Sequence, residues 1–83
     1  MADLPSWNEL IYMPPKTVEE LCLAQGIYQE HLDDCDEKVE MIYLYRRDFP
    51  TQPELDSMPV YFQCTIEALL ETGRWKVLQD FLV

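Results

Sequence analysis

From Val18 onward, apolar residues recur at intervals of three and four: Val18, Leu21, Tyr28, Leu32, Cys35, Val39 and Ile42, with polar Gln25 as the single interruption. That period marks one face of an α-helix. It predicts one amphipathic helix over about 18–46, roughly 30 residues, ending ahead of Pro50. Gly26 is its weakest point, costing about 1 kcal/mol relative to Ala in a helix interior. Asp33-Asp34 is a second place where it could break. Val39 to Tyr45 is rich enough in β-branched and aromatic residues to pass for a strand, but no second segment of comparable character offers it a partner.

Flanking signals complete the pattern. Ser6-Trp7-Asn8-Glu9 and Thr17-Val18-Glu19-Glu20 both read as capping boxes, in which the hydroxyl accepts the amide three residues on and the Glu reaches back. Helices are therefore expected to begin at 7 and at 18. The first is stopped after residue 12, because Pro14 disfavours helical angles at Met13. Phe49 to Pro53 reads as a stiff connector. Ser57, followed by Pro59, is expected to cap a third helix bearing Tyr61, Phe62, Cys64, Ile66, Leu69 and Leu70, with Gly73 as its left-handed terminator. A last helix over 75–82 carries Trp75, Leu78, Phe81 and Leu82. The predicted fold is thus all-α: a bundle of three to four helices in one domain, with a long helix over 18–46 and a C-terminal helical hairpin. Its predicted core is Leu21, Tyr28, Leu32, Cys35, Val39, Ile42, Ile66, Leu69 and Leu78.

The stretch Leu69-Leu70-Glu71-Thr72-Gly73-Arg74-Trp75 resembles the helix-turn-helix punctuation of helical solenoid repeats such as tetratricopeptide units. No self-similarity at their period of about 34 residues accompanies it. A solenoid is not expected.

Length and charge change the picture next. Eighty-three residues suit one small domain, and the 48% apolar content with only two glycines excludes a disordered or collagen-like chain. Six basic residues against sixteen acidic ones give a net charge of −10. Direct nucleic-acid binding, which draws on Lys and Arg to neutralise phosphates, is disfavoured, and so is an anionic membrane surface. A basic surface on another protein, such as a groove that binds nucleic acid, is favoured. Three cysteines without a CxxC pair fit a reducing compartment. With no signal-like amino terminus and no membrane-length apolar run, the expected location is cytoplasmic, or the host cytoplasm for a phage-encoded chain.

Candidate chemistry concentrates at Glu30 to Glu37. His31 and Cys35, four apart, could reach one metal, but no second pair of ligands completes a zinc shell, and the carboxylates lack the order and glycine of a calcium loop. Neither metal nor cofactor is expected. No Gly-rich phosphate loop and no G-x-S-x-G elbow is present, so the chain reads as non-catalytic. What remains is an acidic stripe, Glu30, Asp33, Asp34, Glu37 and Glu40, within a segment holding six carboxylates and one lysine over residues 30–40. On a continuous helix these would form one exposed face for a basic partner. That face could act as a nucleic-acid mimic or as an inhibitor of a host enzyme or defence complex, as small acidic phage proteins do. The alternative site is an aromatic and arginine surface, Tyr43, Tyr45, Arg46, Arg47 and Phe49, serving a homodimer or an adaptor contact.

Overall fold

A computed structural model describes residues 4–82. Among them are seven helices and no strand: α1 (Trp7–Tyr12), α2 (Pro15–Ala24), α3 (Gln29–Asp33), α4 (Lys38–Arg46), α5 (Gln52–Ser57), α6 (Val60–Thr72) and α7 (Arg74–Asp80). The all-α class holds. The expected count of three to four helices and the continuous helix over 18–46 give way to more and shorter pieces.

Local chemistry accounts for each break. Ser6 Oγ accepts the Glu9 amide at 3.2 Å and starts α1 where expected. Thr17, read as a cap, instead lies inside α2, which begins two residues earlier because Pro15, at the first helical position, needs no amide partner and already holds a helical φ. Gly26 does not interrupt a helix but ends one. Its φ of +93° is left-handed, its amide reaches the Leu23 carbonyl at 3.0 Å, and the Ile27 amide reaches the Cys22 carbonyl at 3.1 Å. Those two bonds make a Schellman motif, and Ile27, buried, is its apolar clasp.

A second break follows α3. The Asp36 amide donates to Glu40 Oε2 at 2.7 Å, so the third residue of α4 closes the turn that leads into it. The expected connector at Phe49–Pro53 runs into α5, capped by a box the sequence reading overlooked. The Thr51 hydroxyl and the Glu54 carboxylate satisfy each other's amides, and Glu54 also accepts the Trp7 amide at 3.2 Å, joining the starts of α1 and α5. Ser57 closes α5 rather than capping α6. Gly73, with φ +71°, turns α6 into α7 as a tight hairpin.

Helix α4 is the axis of the packing and lies against α1, α2, α6 and α7. Trp7, Leu10, Val18, Cys22, Val39, Ile42, Leu44 and Leu78 are fully enclosed around it. Of the predicted core, Leu32, Val39, Ile42, Ile66, Leu69 and Leu78 are buried and Leu21 and Cys35 are half-buried. Tyr28 is the exception at 67% exposed. Once the chain turns at Gly26, this residue precedes α3 and leaves the seam it would have shared.

Candidate functional site

Breaking the long helix also breaks the acidic stripe. Glu30 and Asp33 lie on the single turn of α3, and Asp34 follows it, all three exposed. Glu37 is half-buried at the start of α4, and Glu40 is buried at 6% exposure. A buried carboxylate needs partners. Glu40 has them in the Asp36 amide and in Arg74 Nε, 3.1 Å from Oε1. Arg74 also donates through Nη2 to the Asp34 carbonyl at 2.6 Å, so one guanidinium from α7 pins the whole 34–40 turn. Glu40 is therefore an internal strut rather than part of an exposed face.

The aromatic and arginine surface changes more. Tyr43 and Tyr45, read as anchors of the alternative contact surface, are buried. Neighbours surround α4 on several sides, so consecutive bulky residues each find cover. Phe49 is half-buried, 5.0 Å from the Tyr43 ring and 5.9 Å from the Trp75 ring. Arg46 grips Asp48 through Nε and Nη2, each at 3.0 Å, and donates to the Pro5 carbonyl. Asp48 Oδ1 also accepts Trp7 Nε1 at 3.0 Å. Arg47 is exposed and sits in the left-handed region at φ 62°.

His31 and Cys35 both make contacts within the fold. The His31 ring stacks on Phe81 at 4.5 Å, and Cys35 Sγ donates to the His31 carbonyl at 3.4 Å. Among the described residues no group of three or more His, Cys, Asp or Glu is placed to hold a metal ion, and no helix is long and apolar enough to cross a membrane.

What the sequence reading missed is a groove of about 530 Å³ between α6 and the first turn of α4. Val39 and Leu69 form its apolar floor, and Tyr61, Cys64, Thr65, Ala68 and Thr72 line the α6 side. These five fall at three- and four-residue spacing, so the 3.6-residue period places them on one face. From Tyr61 to Thr72 that face is about 16 Å long at the helical rise per residue. At one end the Tyr61 hydroxyl donates to Glu37 Oε2 at 3.0 Å, a bond that holds the phenol above its ordinary pKa. At the other stands the Glu40–Arg74 pair.

Both banks are acidic. Asp36 and Glu37 lie on the α4 side, and exposed Glu67 and Glu71 sit one step around α6, beside Cys64 and Ala68. Arg74 is committed to Glu40. Lys38 is turned away from the groove to the carbonyls of Ile11 and Met13 at the end of α1, where partial burial holds its pKa below the usual lysine value.

No family model, no curated protein and no solved structure matches this chain.

Proposed function

We propose that this chain is a small, non-catalytic acidic protein that engages a basic surface on a partner protein, in a compartment that keeps its thiols reduced. The observation that carries this reading is the imbalance of engaged charges. Lys38, Arg46 and Arg74, half of the six basic residues, are held by internal carbonyls and carboxylates. Among the described residues, only Asp48 and Glu40 of the carboxylates stand in ion pairs. Outward-facing charge is therefore overwhelmingly negative, and it is densest at Glu30, Asp33, Asp34, Asp36 and Glu37.

Such a field steers encounter with a cationic surface and opposes wrong partners. A nucleic-acid-binding protein, including a host enzyme or defence complex inhibited by a phage-type protein, presents such a surface. Mimicry by a straight rod of carboxylates is not the form this would take. The acidic groups gather around the turn between α3 and α4. The aromatic and arginine alternative, for a homodimer or an adaptor, loses its anchors with the burial of Tyr43 and Tyr45.

Replacement of Asp33, Asp34 and Glu37 by Asn, Asn and Gln tests the reading and keeps the Tyr61 hydrogen bond within reach of a Gln acceptor. In affinity capture from the native host, the wild-type chain is expected to retain a basic protein in about 0.05 M salt and lose it in about 0.5 M, where screening is nearly complete. The triple variant is expected to lose it at both. Equal retention by the variant, or retention indifferent to salt, overturns the proposal.

A further inference from the structure

The groove between α6 and α4 combines three properties that the acidic surface alone does not have. Its floor is apolar, its α6 side beyond Tyr61 is built of the small residues Cys64, Thr65, Ala68 and Thr72, and both banks carry carboxylates. At the Tyr61 end the apolar surface continues past the groove: Val60 is 70% exposed and Tyr61 61%. Resting on the reading that the partner is basic, we infer that this groove seats an amphipathic α-helix of the partner. Apolar side chains of that helix lie against Tyr61, Cys64 and Ala68, above the buried floor of Val39 and Leu69, and its Lys or Arg flanks meet Asp36 and Glu37 on one bank and Glu67 and Glu71 on the other.

The choice of occupant follows from hydrogen bonding and charge. An extended peptide gains affinity by pairing its backbone with a sheet edge, and the described residues contain no strand. Helix walls offer no free main-chain partners, so an extended segment here would bury unpaired amides. A helix satisfies its own backbone. Cys64, Thr65 and Ala68 are small enough for its axis to approach α6 at about 8–10 Å, the ordinary separation of packed helices. A length of about 16 Å seats about three turns. A second copy of this chain is a poor occupant, because self-pairing through this face would set Glu67 and Glu71 against the same residues inside a net charge of −10.

Two synthetic peptides of about 18 residues, roughly five turns, form the probe. One places Leu and Ala along a single helical seam flanked by Lys, and the other scrambles the same composition and charge. Amide shift perturbation and the alkylation rate of Cys64 are read at low salt. The seam peptide is expected to shift residues 36–40 and 60–72, to slow Cys64 alkylation by about fivefold or more, and to bind about tenfold more tightly than the scramble, because ordered apolar anchors and not charge count dominate such contacts. Ala68→Glu is the decisive variant. It adds a carboxylate while filling the groove, so a purely electrostatic patch would bind the seam peptide at least as well, whereas a seated helix weakens by about tenfold. Ala68 is exposed on α6, and a circular dichroism spectrum confirms that the variant folds. Equal binding of both peptides, with shifts centred on Glu30–Asp34 and Cys64 unprotected, overturns the groove and leaves the basic-partner reading standing. Binding of neither peptide overturns both.

Discussion

Helices α4 and α6 are made of similar material and live in different surroundings. In α4, six of nine residues are buried: Val39, Glu40, Ile42, Tyr43, Leu44 and Tyr45. In α6, which is four residues longer and also rich in apolar side chains, only Ile66 and Leu69 are. The difference is one of position. Neighbours pack on α4 from α1, α2, α6 and α7, whereas α6 leans chiefly on α4 and α7. A helix apolar all round is stable only when enclosed. Apolar residues on α6 exceed what the fold covers: Val60 and Tyr61 stand exposed at one end of the groove, and Leu70 stands exposed on the opposite face of the helix.

Truncation on the two helices is expected to break the symmetry of composition most visibly. Leu44→Ala removes a side chain with no solvent exposure and should cost about 2–5 kcal/mol. Leu70→Ala, on the open side of α6, should cost less than about 0.5 kcal/mol, as exposed substitutions generally do. Urea titration of both variants measures the contrast. Comparable losses at the two sites would mean that α6 is covered in solution and that its apolar excess belongs to the core.

A smaller effect is expected where the two helices meet α7. Arg74→Met keeps the length of the side chain and removes its charge, leaving Glu40 buried with the Asp36 amide as its remaining partner. An orphaned buried carboxylate is costly. Arg74 is itself 28% exposed and water can replace part of its role, so the loss should be about 1–3 kcal/mol. Amide exchange is expected to accelerate first over Asp34–Glu37, the turn that Arg74 holds through the Asp34 carbonyl. A loss confined to overall stability, with that turn as protected as before, would remove Arg74 from its pinning role.

The pattern along the chain made the helical class and most of the core legible, because Leu32, Val39, Ile42, Ile66, Leu69 and Leu78 keep a helical period within their own segments. The ends of α1 and the turn at Gly73 were legible too, since Ser6 and Gly73 act locally. Gly26 was misread because the apolar period continues numerically past it. Ile27, off that period, was the sign of a helix end with its apolar clasp. Thr51 and Glu54 carry the same cap signature as Ser6 and Glu9, hidden among prolines that suggested a rigid linker. Glu40 could not be placed from local pattern at all, because its partner Arg74 is 34 residues away. The groove had a faint signature in the spacing of Tyr61, Thr65, Ala68 and Thr72, small or polar positions on an otherwise apolar helix.

The three thiols give the gentlest test of the same contrast. Cys22 points from α2 toward α4, where its Sγ lies 3.5 Å from the Met41 carbonyl. Burial, with Glu19 adding to it, pushes this thiol up to about 11, and burial followed by Glu40 pushes Cys35 up to about 12. Cys64 stands exposed on α6. Access and a retained proton both slow a thiol toward disulfide reagents, so at about pH 8 the exposed Cys64 should react quickly and Cys22 and Cys35 only after unfolding. The same shifts set a pH dependence. Each of these two thiols keeps its proton in the fold at pH values where the unfolded chain, titrating near 9.0, has released it. The folded state then binds more protons, and stability falls with pH. The contribution is complete below pH 9 and is lost as pH rises through the folded values of about 11 and about 12. Cys22→Ala should lower stability at neutral pH through lost packing while flattening the decline above pH 9. If Cys64 reacts as slowly as Cys22 in the folded protein, the α6 bank is closed, and the groove beside it cannot admit a partner helix.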